Sequence, residues 1–197
     1  IGLGRQGMSD FYSASNCPGI QIVAGCDVDA LKRERFMKRV TEWQKKAGWN
    51  PRCDTYEFYE ELLDRKDIDV YLQKPLTYTI SESIALVRAV RANDRVLQVG
   101  SQQRSDREFQ RAIELVRAGA IGHIESVQVH IGEPPKPFDL PEVPVPPYLN
   151  FNAWMGPLTS PNVHYHPDMC PPIDNPEMEE KGPWAVWRYY RETGNGL

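Results

Sequence analysis

The chain has 197 residues, a net charge of −4, and 41% hydrophobic against 25% charged residues, a balance ordinary for a soluble globular protein of one large or two small domains. The mild acidity gives no electrostatic reason to expect nucleic acid or an anionic membrane as partner, and no apolar run approaches the length of a membrane span. Cys17, Cys26, Cys53 and Cys170 contain no C-x-x-C pair, so they read as reduced thiols of a cytosolic protein, not as a disulfide framework or a zinc site. The sequence starts at Ile1 without a methionine, so the cytoplasmic expectation leaves export open.

Ile1-Gly2-Leu3-Gly4-Arg5-Gln6-Gly7 opens the sequence, and Asp27 follows Gly7 by 20 positions at the end of the β-rich stretch Ile20 to Cys26. This is the layout of a dinucleotide site. Gly2 permits the tight turn, Gly4 lets backbone approach a pyrophosphate, and Gly7 allows helix to pack closely on strand. The helix that starts at Arg5 and Gln6 offers amide N–H groups and a positive dipole end to phosphates. An acid at Asp27 accepts the adenosine ribose hydroxyls and repels a 2′-phosphate, so NAD is expected over NADP.

The first helix is expected from Arg5 to Ala14, broken by Asn16, Pro18 and Gly19. A long helix is expected from Ala30 to Ala47 with Leu31, Phe36, Val40 and Trp43 as its core face and Gly48 as C′ residue. A short helix follows over Tyr56 to Leu63. Thr79 with Glu82, and Ser105 with Glu108, have capping-box spacing before apolar periodic runs. Between those helices, Val96 to Gly100 reads as a buried strand. Strand alternating with helix predicts an α/β fold, a Rossmann-type parallel sheet covered on both faces.

The pattern changes near Gly122. Val127, Val129 and Ile131 alternate with Gln128 and His130 as in a strand with one buried face. Of 17 prolines, 14 lie at or beyond Pro134, too many there for a helix or a central strand. The domains are therefore expected at 1–122, binding NAD, and 123–197, a second, partial α+β domain for substrate or oligomerisation. His164 and His166 form an H-x-H pair with no third ligand at helical or strand spacing, and no metal is expected.

The opening loop with Asp27, the segment Tyr71-Leu72-Gln73-Lys74-Pro75-Leu76, and Gln98-Val99-Gly100-Ser101-Gln102-Gln103-Arg104 together resemble the Gfo/Idh/MocA family of oxidoreductases, NAD(P)-dependent relatives of glucose-fructose oxidoreductase and inositol dehydrogenase. The resemblance extends through Trp154-Met155-Gly156-Pro157 to Trp187-Arg188-Tyr189-Tyr190. It implies NAD-dependent oxidation or reduction of the CH–OH group of a sugar, inositol or related polyol. The matched Lys74 would sit by the nicotinamide and the substrate hydroxyl as the catalytic residue, aimed by Pro75. An ammonium there polarises an oxygen or lowers a hydroxyl pKa while hydride leaves carbon. Gln73 stands where the family has glutamate, which removes a negative charge beside Lys74. Arg104, Trp154, Arg188 and Tyr189 are the substrate-contact candidates. A homo-oligomer is implied for the full-length form.

Three pieces of the family pattern are absent: the strand before Gly2, a strand, loop and helix between Val70 and Tyr71, and the segment after Leu197 that carries the usual acid/base histidine. Parallel neighbours need a crossover of a dozen or more residues, so Ile68 to Gln73 forms one strand unless residues are missing. A chain of this literal sequence is expected to hold NAD with little turnover. The alternatives are an NAD-dependent glycoside hydrolase of the same superfamily and a non-catalytic nucleotide-binding fragment.

Overall fold

The computed structural model describes residues 1–74, 76–77, 79–158, 160–172 and 184–194. It is a mixed helix and strand protein with two small parallel sheets. The chain divides into two compact units, Ile1–Ile68 with Glu133–Leu197, and Asp69–Gly132.

In the first unit, the glycine loop leads into α1 (Arg5–Ser15). Strand β1 (Ala24–Cys26) pairs in parallel with β2 (Asp54–Tyr56), Gly25 opposite Thr55. On the other side of β1 the loop itself is attached, with Gly2 N–H donating to the Cys26 carbonyl at 2.9 Å. Helix α2 (Ala30–Lys46) is the crossover between these strands. It begins at a cap the sequence reading passed over: Asp29, 2% exposed, accepts from the N–H groups of Leu31 and Lys32 and pairs with the Lys32 ammonium at 3.0 Å. Its apolar face falls where the 3.6-residue period puts it. Phe36 and Val40 pack with Leu3, Met8 and Phe11, with Trp43 and Ile22 at the edge.

The same face buries one polar side chain completely. The Gln44 amide donates to the carbonyls of Ile22 and Arg52 at 2.9 and 2.8 Å and accepts from Arg52 N–H at 2.7 Å. Those bonds join the run into β1 to the run into β2, so the buried amide is fully used. Short α3 (Tyr59–Leu63) starts three residues after the expected position, because Tyr56 closes β2 against Cys26. Of the expected strand over 20–26, only β1 makes ladder pairs.

The proline-rich excursion belongs to this unit and builds a second core of Leu149, Tyr165, Met169 and Cys170. It is tied to the end of β1 and the start of α2: Ala30 N–H donates to Tyr148, Asn150 N–H to Val28, and the Asn150 amide to Glu57 Oε1 at 2.7 Å.

The second unit is one β-α-β turn with a further helix. Strand β3 (Val70–Gln73) pairs in parallel with β4 (Leu97–Gly100), and α4 (Ile80–Ala92) connects them. Val70 to Gln73 is a single strand, as the crossover requirement demands. The capping box of α4 is formed in both directions: Thr79 Oγ1 accepts from Glu82 N–H and the Glu82 carboxylate accepts from Thr79 N–H. The second expected box is not. Helix α5 (Arg107–Arg117) is capped by Asp106, which accepts from Glu108 and Phe109 N–H, while Ser105 ends a 3-10 turn, Gln102–Ser105. Asp106 offers a charged acceptor that meets both the Glu108 and Phe109 amides, and a negative charge is favoured at a helix N-terminus.

The expected strand over Val127 to Ile131 does not form. Its three apolar residues are 77%, 74% and 74% exposed. Alternation alone does not make a strand: the ladder bonds need a neighbour, and among the described residues none pairs with this run.

Candidate functional site

The glycine loop takes the form the sequence spacing requires. Gly2 has φ +81°, a left-handed backbone that a side chain would strain. Gly4 caps α1 with φ −68°, and a Cβ built there meets nothing within 4 Å, so its open side faces free space. Gly7 is the opposite case. A Cβ there would lie 2.0 Å from the Gly2 carbonyl oxygen, so only glycine lets the first turn of α1 close on the loop.

Asp27 follows β1 directly, and its carboxylate is knit to the loop. Oδ2 accepts from Leu3 N–H at 2.7 Å and Oδ1 from Asp29 N–H at 2.9 Å. Its backbone carbonyl accepts from Arg33, whose guanidinium also faces Glu57 at 3.6 Å. Each carboxylate oxygen has a second lone pair, so the acid retains acceptor capacity for a diol brought alongside the loop.

Around the start of α1, Gln6 donates to Asp10 Oδ1 at 2.9 Å, a helical i,i+4 contact. The Arg5 guanidinium stands 4.4 Å from the centre of the Trp184 ring. Arg188 stands 4.8 Å from the same ring. Arg5, Gly2, Gly4, Gly7 and Asp27 are thus one local constellation, and the structure adds Trp184, which sequence reasoning missed because nothing local links it to position 5.

The substrate candidates separate. Arg188 and Tyr189, from a 3-10 turn at Val186–Tyr189, line a groove of about 560 Å³ with Glu133, Pro135 and Lys136. Trp154, on α6 (Phe151–Met155), stacks on Phe151 at 5.5 Å and 10° and packs against the second core. Arg104 is exposed in the 3-10 turn of the second unit. Lys74 is also in that unit, exposed at the end of β3, with its own N–H donating to the Gln73 side-chain oxygen at 2.8 Å. Pro75 lies outside the described residues.

Another cluster carried no sequence signal. Asp139 accepts from Lys136 at 2.7 Å and from the Tyr190 hydroxyl at 2.8 Å. The Lys136 bond, then the Tyr190 bond, hold the Asp139 carboxyl below its ordinary range. Burial, then the bond to Asp139, raises the Tyr190 phenol. Residues 51 apart in sequence meet here, which no spacing rule anticipates.

The histidines serve local structure. His164 Nε2 lies 2.8 Å from the Leu140 carbonyl, and His166 Nδ1 accepts from Asp168 N–H; His123 and His130 are exposed. Among the described residues no three His, Cys, Asp or Glu side chains gather as a metal site. Burial pushes the Cys26 thiol up to about 11 and those of Cys53 and Cys170 up to about 12, which holds all three as unreactive thiols near neutrality. Among the described residues no helix is long and apolar enough to cross a membrane.

Comparison with known proteins found no matching family model, no matching curated protein and no matching solved structure.

Proposed function

We propose that the chain is the nucleotide-binding part of an NAD-dependent oxidoreductase acting on the CH–OH group of a sugar, inositol or related polyol. The observation that carries the nucleotide half is the glycine loop: a left-handed Gly2, an unobstructed Gly4, and a Gly7 packed so closely on Gly2 that no side chain fits. Parallel β1 and β2, joined through α2 and flanked by the loop, support this reading, since a Rossmann-type fold receives a pyrophosphate at such a loop beside parallel strands.

In this reading Gly4 leaves the approach to the α1 amides open, and Asp27 takes the ribose diol through its remaining lone pairs. Its negative charge disfavours a 2′-phosphate, hence NAD over NADP. The cofactor, when bound, supplies the hydride acceptor or donor. Lys74 would polarise the substrate oxygen, as the family resemblance implies. Nucleotide binding without turnover is the second reading, and the exposure of Lys74 at a strand end favours it.

The test is a fluorescence titration with NADH and NADPH on the wild type and Asp27→Ala. Tighter NADH binding that narrows in the variant supports the assignment; equal or tighter NADPH binding by the wild type overturns it. Assay of NAD reduction against sugars and inositols, with product analysis for net hydrolysis, separates dehydrogenase, hydrolase and binding module.

A further inference from the structure

The two segments that line the groove of the first unit are clamped to each other. Lys136 N–H donates to the Tyr189 carbonyl and Arg191 N–H to the Lys136 carbonyl, both at 2.9 Å. Asp139 then joins the Lys136 ammonium to the Tyr190 hydroxyl. The walls are therefore fixed before any ligand arrives, which lowers the cost of binding one. Pro134, Pro135 and Val186 make much of the lining apolar, and the volume of about 560 Å³ falls within the range of small-molecule sites. Three charged side chains also line it: Glu133, Lys136 and Arg188. Lys136 is neutralised by Asp139 at 2.7 Å. The other two are not matched: neither the Glu133 carboxylate nor the Arg188 guanidinium makes a hydrogen bond or ion pair among the described residues. Arg188 rests on the Trp184 ring, 4.8 Å from its centre, with its Nε buried and unpartnered.

We propose that this groove binds a free amino acid with an apolar side chain: its carboxylate on Arg188, its ammonium on Glu133, and its side chain against Pro134, Pro135 and Val186. A guanidinium on a ring uses its flat face there and keeps its outer N–H edge, which matches the two oxygens of one carboxylate. The charges decide against a phosphate. With Lys136 neutralised, Glu133 and Arg188 cancel, so a dianion would enter a neutral groove with one fork to receive it and a carboxylate to repel it. A zwitterion keeps the groove neutral and gives each unmatched charge its partner. Glu133 and Arg188 do not pair with each other, and an amino-acid head group with a charge-assisted hydrogen bond at each end bridges groups on the order of 8 Å apart. This role replaces the polyol contact expected of Arg188, and it stands apart from the nucleotide reading.

The experiment is calorimetry of the full chain with L-leucine, L-phenylalanine, L-phenylalaninamide and N-acetyl-L-phenylalanine, on the wild type, Arg188→Gln and Glu133→Gln, with folding checked by circular dichroism. The wild type should bind at least one of the free amino acids. It should bind the amide, which lacks the carboxylate, and the N-acetyl compound, which lacks the ammonium, about tenfold or more weakly than phenylalanine, the loss expected for a charge-assisted hydrogen bond. Arg188→Gln should abolish the discrimination against the amide, and Glu133→Gln that against the N-acetyl compound. Glu133 is exposed, so its variant reads the site even if Arg188→Gln fails to fold. A folded wild type that binds neither free amino acid, or that binds the amide and the N-acetyl compound as well as phenylalanine, overturns the proposal. Folded variants that discriminate as the wild type does also overturn it. A parallel NADH titration separates the two readings: NADH binding without amino-acid binding refutes only the groove assignment, and amino-acid binding without NADH binding refutes only the nucleotide assignment.

Discussion

Gly7→Ala and Gly4→Ala place the same methyl group on two glycines of one loop and should fail in different ways. At position 7 the substitution has one favourable effect, since alanine is better than glycine inside a helix by about 1 kcal/mol. Against it stands a contact of 2.0 Å between the new Cβ and the Gly2 carbonyl oxygen. Backbone on both sides must move, and Gly2 is held by its own bond to Cys26. Overpacking of this kind costs about 1–3 kcal/mol, sometimes more, so the clash outweighs the helix gain. For a chain of this size each kcal/mol lowers the melting temperature by about 2–4 °C. At position 4 φ is −68° and the built Cβ meets nothing within 4 Å, so Gly4→Ala should change stability by less than about 1 kcal/mol, the scale of a cap substitution. Its methyl group instead occupies the approach to the α1 amides, and NADH affinity should fall at least tenfold. Urea denaturation followed by circular dichroism, together with NADH titration, reads both effects. A Gly7→Ala protein as stable as wild type refutes the packing argument, and a Gly4→Ala protein that binds NADH normally refutes the phosphate approach.

Gln44→Ala should destabilise the first unit by at least about 2 kcal/mol, because the carbonyls of Ile22 and Arg52 and the N–H of Arg52 lose their partner inside the fold; a loss under 0.5 kcal/mol in the same urea assay, a threshold of about one weak hydrogen bond, contradicts it. Iodoacetamide at about pH 8 should label the exposed Cys17 first and leave Cys26, Cys53 and Cys170 untouched until unfolding, as read by mass spectrometry. These three thiols bind protons more tightly folded than unfolded, so their stabilisation is complete below their ordinary value of 9.0 and is lost as pH rises toward about 11 to 12. Stability that rises with pH across that window would contradict their burial. Lys74→Ala should leave melting and NADH affinity unchanged, because the side chain is exposed, and should lower any turnover by about 10²–10⁴-fold; equal turnover removes Lys74 from the reaction.

What the chain reveals without a structure is what short-range chemistry decides. The glycine loop, the start of α1, the length of α2 and the Thr79–Glu82 box depend on residues within a few positions of one another, so steric freedom, periodicity and capping spacing make them legible. Even there, a nearby competitor can win: Asp106 caps α5 in place of Ser105. Tertiary structure decided everything that required a distant partner. The alternation of Val127, Val129 and Ile131 produced no strand because a ladder needs a second chain segment. Gln44 became a buried bracket, Trp154 a packing residue, and Trp184 the ring shared by Arg5 and Arg188. Position 5 and position 188 carry no mutual signal along the chain. Their proximity follows from the proline-rich segment docking its backbone on the ends of β1 and α2, where Ala30, Asn150 and Glu57 found hydrogen-bond partners that neither segment has alone.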